Sequence, residues 1–303
     1  MRLPMSSPAL PLLCCAFALS LPAAAAPGDE APAPRPTARS KLLLTAGVSS
    51  IDGAAGGGLT PWAVTGTQAT EHEVGGTAFV TRAVVSDYAL TVKGATVGIH
   101  DRVELSLARQ DFDAGVVVPR TTLKLDIAGV KLKLAGDAVL NSDTWQPQLA
   151  VGVFYKHLDP GSAVGGVLDS VGAKRHGVEV YASATKLLLA QGVLLNGTLR
   201  ATQANQNGLL GFGTTGDRRM RLQPEFSVAK LLRKDLAIGA EYRFKPDRLA
   251  FAGPAFKESD WKDVFVAWAP NKHLSFTLAW VDLGQIVGHE RQRGTYLSIQ
   301  AGL

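Results

Sequence analysis

Apolar and polar residues alternate along most of the chain after Lys41. The period is two residues, which is typical of β-strands with one apolar face and not of an amphipathic helix. The clearest run covers 236–245, with Leu236, Ile238, Ala240, Tyr242 and Phe244 on one face and Glu241, Arg243 and Lys245 on the other. About fourteen segments alternate in this way, the one near 61–69 least clearly. The pattern predicts an all-β protein without a long helix.

The connections between these segments alternate between short and long. The short links are at 100–101, 191, 234–235 and 271, and the long ones cover 111–120, 158–176, 205–218, 246–260 and 283–292. Bacterial outer-membrane barrels have short periplasmic turns and longer outer loops. The short link at Ser86-Asp87 does not fit this alternation and leaves the strand number open. We therefore expect a closed antiparallel transmembrane β-barrel of about 12–14 strands.

A barrel is favoured because strands with one fully apolar face would aggregate in water, whereas lipid accommodates that face. Closing the sheet also pairs every strand edge. Tyr88, Trp145, Trp261 and Trp280 lie at strand ends, where interfacial aromatic girdles occur. The alternative is a two-sheet sandwich in which the apolar faces pack against each other.

One segment changes its apolar phase. Leu123, Leu125 and Ile127 share one parity, whereas Val130, Leu132 and Leu134 share the other. Because one register cannot place both sets on the same face, the pattern predicts a β-bulge near 128–129 or, alternatively, two short strands.

The first 26 residues predict a secretory signal peptide. Arg2 precedes the apolar stretch 9–21, and the small residues 23–26 suit cleavage near Ala25 or Ala26. We expect residues 27–40 to form an Ala/Pro-rich periplasmic linker and residues 41–303 to form the barrel in the bacterial outer membrane. Cys14 and Cys15 are the only cysteines, so the mature chain is expected to contain none.

Composition and motifs exclude several classes of function. The formal charge is +5, but the basic residues are dispersed and predict no nucleic-acid binding. The histidines show no zinc-site spacing and no Gly-x-Ser-x-Gly motif is present, so we expect no metal, no cofactor and no catalytic residues. A lipid-modifying enzyme that pairs His157 with Ser275 or Ser298 is a less favoured alternative.

If the apolar faces contact lipid, the intervening charged residues face the lumen. The predicted lumen-lining residues are Lys93, Arg102, Glu104, Lys156, Glu179, Arg200, Arg221, Glu225, Glu241 and Arg243. Such residues can line a passive porin-like channel for small solutes or ions, here with a weak anion preference. They can equally pair across a narrow lumen, which would give a closed structural or binding barrel without conductance.

The C-terminal strand carries a further pattern. Gln292, Gly294, Leu297 and Ile299 have the spacing of the terminal targeting signal of outer-membrane barrels, although Leu303 replaces the usual terminal aromatic residue. We therefore expect the barrel-assembly machinery and outer-membrane lipid as partners. The identity of any small solute stays open.

Five stretches resemble one known family. They are KLLLTAGVSSIDG (41–53), GGLTPW (57–62), VELSLARQDFD (103–113), NGTLRATQANQNGLLGF (196–212) and WKDVFVAWAPNKH (261–273). They are similar to an exported proteobacterial family of unknown function, domain of unknown function 3034. The resemblance implies an outer-membrane, porin-like protein and brings no substrate, cofactor or catalytic residue with it.

Overall fold

The computed structural model describes residues 41–139 and 145–303. The predicted signal peptide (1–26) and linker (27–40) lie outside the described residues. A short hairpin of β1 (Val48–Ser49) and β2 (Ala55–Gly56) precedes twelve longer strands. These are β3 (Val74–Val85), β4 (Ala89–Ile99), β5 (Val103–Asp113), β6 (Thr122–Ala135), β7 (Gln148–Asp159), β8 (His176–Leu188), β9 (Val193–Thr202), β10 (Arg221–Arg233), β11 (Leu236–Arg243), β12 (Trp261–Asn271), β13 (Leu274–Asp282) and β14 (Arg293–Gly302).

The twelve strands β3–β14 form a closed antiparallel barrel. Each strand pairs with its neighbours in sequence, and β14 closes the ring by pairing with β3 from Gly302↔Thr77 to Gly294↔Val85. An even number of strands allows every ladder, including the closing one, to be antiparallel. The predicted fold class is confirmed, with the strand number at the lower bound of the prediction.

The two ends of the barrel differ. One end, the turn end, carries the tight connections at 100–102, 189–192, 234–235 and 272–273, and the other, the loop end, carries most of the long ones. The loop end contains α1 (Gly161–Val171) and three 3-10 turns at Gln206–Gly208, Ala250–Ala252 and Pro254–Phe256. The link at Ser86-Asp87 is a short turn at the loop end, which explains why it broke the expected alternation.

The outer surface of the barrel is apolar, as a membrane-spanning barrel requires. Leu107 and Leu222 are each 66% exposed, and their strands alternate them with buried residues. Because lipid replaces water around this surface, the exposed apolar face is its stable arrangement. No helix in the described ranges is long and apolar enough to cross a bilayer.

The bulge predicted in β6 near 128–129 is absent. Its pairing with β5 is continuous from Thr122 to Leu132, and its one irregularity, against β7, lies at 133–135. The apolar phase changes because the inner face changes chemistry along the barrel. Leu123 and Leu125 point into an apolar loop end, whereas Lys131 points into a polar middle section.

Two aromatic residues also differ from expectation. Tyr88 and Trp261 are buried inside the loop end, at 3% and 5% exposure, and do not belong to an outer girdle. Trp145 and Trp280 are exposed. Tyr88 and Trp261 point inward because the interior of the loop end is apolar. The rings are buried there and not at the interface between membrane and water.

Four inward-facing glycines are paired with aromatic residues on the neighbouring strand. The pairs are Phe79↔Gly94, Gly129↔Phe154, Gly152↔Tyr181 and Gly239↔Phe265. A Cβ on Gly152 would lie 2.3 Å from the Tyr181 ring, so only glycine leaves room for it. Cross-strand pairs of this kind fix the register of neighbouring strands.

Candidate functional site in the barrel lumen

The lumen is occupied by residues 41–69, here called the lumen segment. Its middle part, from Thr45 to Thr67, is buried throughout. It hydrogen-bonds to the inward faces of strands such as β5, β8 and β10. The irregular alternation near 61–69 therefore belongs to this segment and not to a barrel strand.

The segment folds back on itself by short-range hydrogen bonds and close glycine packing. The Ser50 N–H donates to the Ala54 carbonyl at 2.9 Å, and the Ile51 N–H donates to the Gly58 carbonyl at 2.8 Å. A Cβ on Gly56 would lie 1.9 Å from the Thr60 carbonyl oxygen. The glycine run at 56–58 is thus required for this tight path.

Asp52 is the centre of a buried ion network. Its carboxylate contacts Lys156 Nζ on β7 at 2.8 Å, an Arg200 Nη on β9 at 2.8 Å and an Arg243 Nη on β11 at 2.6 Å. All four side chains are at most 1% exposed. One carboxylate from the lumen segment therefore connects three strands of the wall.

The wall itself supplies the remaining carboxylates of this network. Glu179 contacts Lys156 at 2.9 Å and Arg200 at 2.8 Å, and Glu225 contacts Arg200 at 2.7 Å. The network then has three cations, three carboxylates and no net charge when Asp52 is counted. Without Asp52, the wall would hold one uncompensated cation, which is costly in a buried site.

Asn207 joins the network from the loop end. Its side-chain oxygen accepts hydrogen bonds from Lys156 Nζ at 3.2 Å and from an Arg243 Nη at 3.3 Å. Asn207 lies in the loop between β9 and β10, which therefore folds inward to contact the same charges as the lumen segment.

A second contact joins the lumen segment to β5 and β6. Lys131 Nζ and the Glu104 carboxylate form an ion pair at 3.0 Å, and both side chains are 1% exposed. Glu104 accepts hydrogen bonds from the backbone N–H groups of Ala55 and Gly66, at 3.1 and 2.8 Å. Lys131 donates to the carbonyls of Ala55 and Val64, at 3.2 and 2.8 Å. This pair satisfies backbone groups that burial would otherwise leave without partners.

A third contact lies at β10 and β11. The Glu241 carboxylate accepts hydrogen bonds from the Leu59 N–H at 2.6 Å, from the Ser227 hydroxyl at 2.7 Å and from the Thr60 hydroxyl. The hydroxyl oxygens of Thr60 and Ser227 lie 2.5 Å apart. Side chains of the lumen segment and of the wall therefore share one carboxylate.

At the turn end, Lys41 and Lys133 flank Asp101. The ion-pair distances to Asp101 are 2.6 Å from Lys41 and 2.8 Å from Lys133. Burial raises the pKa of the Asp101 carboxyl. The charge of Lys41 and hydrogen bonds from Lys133, Lys41 and Thr65 lower it by more than burial raises it, so the pKa lies below its ordinary value. This turn therefore holds the start of the lumen segment through charge.

The structure places seven of the ten predicted lumen residues in the buried interior: Glu104, Lys156, Glu179, Arg200, Glu225, Glu241 and Arg243. These seven side chains contact one another or the lumen segment, so they do not surround open space. Arg221 is not one of them. It lies at the loop end, where its half-exposed guanidinium pairs with Asp217 at 2.6 Å.

The lumen prediction is wrong for two residues, Lys93 and Arg102. Lys93 is exposed on the outer side of β4, because the apolar Val92 is the residue that faces inward at this point. In the ladder with β5, Lys93 is opposite Arg109, which forms an exposed ion pair with Asp126. Arg102 lies in the turn before β5 and is exposed at the turn end.

Two residues of the lumen, Asp52 and Lys131, were not among the predicted ones. Lys131 alternates with the outward Val130 and Leu132, and this alternation in the second half of β6 is the signal that could have identified it. Asp52 belongs to a segment with no strand periodicity, and no local signal marks its distant partners.

The residues considered for an enzyme are not brought together. Ser298 lies inside the barrel, where its hydroxyl is 2.8 Å from that of Thr81, and Ser275 shares the inward parity of Thr277. His157 is on the outer side of β7. Within residues 41–139 and 145–303, no group of three His, Cys, Asp or Glu residues could hold a metal ion.

A family model described as a protein of unknown function, domain of unknown function 3034, matches residues 45–300. The chain belongs to this family. The matched range includes nearly all of the lumen segment as well as the barrel, so the family is defined over both. No curated protein matches the chain.

Among solved structures, the chain is similar to several outer-membrane proteins at low identity. The NanC porin is 9% identical with a TM-score of 0.47, over 74% of this chain and 97% of that one. The KdgM porin has the same identity and TM-score, over 74% and 98%. The COG4313 outer membrane channel from Pseudomonas putida F1 is 11% identical with a TM-score of 0.41, over 80% and 96%. Identities and TM-scores this low carry no information on function, so the function has to be inferred from the residues of the chain itself.

Proposed function

We propose that this protein is a porin-like barrel of the bacterial outer membrane that its own lumen segment keeps closed. Solutes or ions then cross only when residues 41–69 are displaced from the wall. The alternative, a closed binding barrel that never conducts, predicts the same resting state and differs in what happens after displacement.

The outer-membrane location is supported by the chemistry of the two faces. The barrel presents exposed Leu, Val, Ile and Phe side chains outward and buries polar and charged ones inward. Closed β-barrels with an apolar exterior are typical of bacterial outer membranes. The proposed export signal in residues 1–26 is consistent with this location.

The network at Asp52 carries the proposal. A passive pore needs open space between its charged side chains, whereas here Lys156, Arg200 and Arg243 each contact the Asp52 carboxylate at 2.8 Å or less. The contacts of Glu104 and Glu241 with backbone N–H groups exclude solutes in the same way. The weak anion preference expected from the basic excess stays a prediction for the displaced state.

The test locks the lumen segment to the wall. Replacing Thr60 and Ser227 with cysteine places two sulfur atoms where the hydroxyl oxygens are 2.5 Å apart. If the signal peptide is removed, these are the only cysteines of the mature chain. Single-channel conductance in planar lipid bilayers is recorded for the oxidised and reduced T60C/S227C double variant. The oxidised T60C and S227C single variants are matched controls.

Displacement can be imposed by a chain that begins at Thr70 and lacks the lumen segment. We expect steady conductance from this chain, brief openings from the wild type and the reduced double variant, and none from the oxidised double variant. Equal conductance before and after oxidation would contradict the proposal. A shortened chain that shows the heat-modifiable mobility of a folded barrel but conducts no ions would establish the closed binding barrel instead.

A further inference from the structure

An apolar cavity of about 160 Å³ lies inside the loop end of the barrel. Its wall comes from β3 to β6 and from the start of β12, and its roof comes from α1 and the loops between strands. Almost all of its lining side chains are aliphatic or aromatic, among them Phe112, Leu123, Leu209 and Ile286. Protein interiors are close-packed, with few voids larger than a water molecule. An apolar cavity of about 150 Å³ stays dry and accepts a molecule of the size of benzene.

The few polar side chains at this cavity offer a ligand no hydrogen-bond partner. Gln110 is fully buried, and its Nε2 donates to the Ile51 carbonyl at 2.8 Å. Gln110 Oε1 and Trp261 Nε1 have no hydrogen-bond partner, but both atoms are enclosed by protein and cannot be reached from the cavity. A polar group of a ligand would therefore be buried there without a partner, which is unfavourable.

The cavity reaches the surface at one side. Val117, in the loop after β5, and Val167, in α1, both line it and are 42% and 47% exposed. A small molecule arriving from the loop end can therefore enter between these two elements without displacing the lumen segment.

We propose that this cavity binds a small apolar aromatic or aliphatic molecule of about the size of toluene. The molecule fills the cavity and supplies the packing contacts that the apolar lining lacks. The inference concerns binding alone and does not depend on whether the barrel conducts.

The test uses two probes of matched shape, 4-fluorophenol and 4-fluorotoluene, followed by ¹⁹F NMR on the full chain in detergent. The two differ in a hydroxyl against a methyl group, and the ¹⁹F chemical shift separates probe bound to protein from probe dissolved in micelles. Ala114, which lines the cavity, is replaced by phenylalanine to fill it. Ala95→Phe on the outer side of β4 is the matched control.

We expect the wild type and Ala95→Phe to bind 4-fluorotoluene roughly five- to a hundredfold more tightly than 4-fluorophenol, because the hydroxyl of the phenol would be buried without a partner. Ala114→Phe should bind neither probe. Binding that persists unchanged in a folded Ala114→Phe variant, or no binding of 4-fluorotoluene by the wild type, would overturn the site. Equal or tighter binding of 4-fluorophenol by the wild type would overturn the apolar character proposed for the ligand.

Discussion

Replacing Asp52 with asparagine tests the central charge network most directly. The substitution keeps the shape of the side chain and removes its negative charge, which leaves Lys156, Arg200 and Arg243 facing only Glu179 and Glu225. One cation is then buried without a counter-charge. Removing one partner of a buried ion pair costs about 3–5 kcal/mol. Since about 1.4 kcal/mol changes an equilibrium tenfold, the population with a displaced lumen segment should rise by roughly two to three and a half orders of magnitude.

Ser50 provides the reporter for this measurement. Its side chain is fully buried and its hydroxyl has no hydrogen-bond partner, so Ser50→Cys introduces a thiol at little cost. The rate at which maleimide labels this introduced thiol measures how often the segment leaves the lumen. We expect labelling to be at least a hundredfold faster with Asp52→Asn than without it.

The double variant Asp52→Asn, Lys156→Met separates charge from shape. It restores equal numbers of cations and carboxylates, so labelling should slow again towards the rate in the otherwise wild-type chain. Asp111→Asn, on β5 and outside the network, is the matched control and should have no effect. An unchanged labelling rate in the Asp52→Asn variant would refute the proposed role of the charge balance.

Three further predictions concern separate contacts. Lys131→Met leaves Glu104 buried without its cation, so we expect faster maleimide labelling of the Ser50→Cys thiol, whereas the double variant Lys131→Met, Glu104→Leu should label more slowly than the single variant. Because the pKa of the Asp101 carboxyl is lowered in the folded protein, its contribution to stability is present above the unfolded value, near 3.9, and is lost as the pH falls through the lower folded value. Thermal unfolding midpoints between pH 7 and pH 2 should therefore fall less for Asp101→Asn than for the wild type, and parallel curves would contradict this. Gly152→Ala should destabilise the barrel by about 1–3 kcal/mol, because the new Cβ would overlap the Tyr181 ring, whereas Gly197→Ala, with open space around it, should not; urea unfolding midpoints compare the two.

The barrel could be predicted from the sequence because its determinants are local. A two-residue period and the lengths of the connections define strands and their antiparallel order, as in β11 and β12. The contents of the lumen could not be predicted in the same way. Ser49 contacts Gln300, and Asp52 contacts Arg243, across separations of 251 and 191 residues. No periodic pattern in residues 41–69 records these contacts.

The errors at Lys93 and in β6 share one physical cause. Both predictions require an inner face that is polar along its whole length, as in a water-filled pore. The interior near the loop end is apolar, so Val92 and Leu125 face inward and the neighbouring Lys93 and Asp126 face outward. Parity alone cannot reveal where the interior changes from polar to apolar.

The attachment of the lumen segment to the barrel has a consequence for how it can be displaced. Only residues 70–73 separate it from the start of β3. A segment on so short a tether meets its binding site at an effective concentration that is on the order of millimolar for a flexible linker. Dilution cannot release it, and a free competitor must match both this concentration and the contacts of Asp52. The segment therefore behaves as a permanently supplied intramolecular ligand, whose release depends on a change in its affinity for the wall.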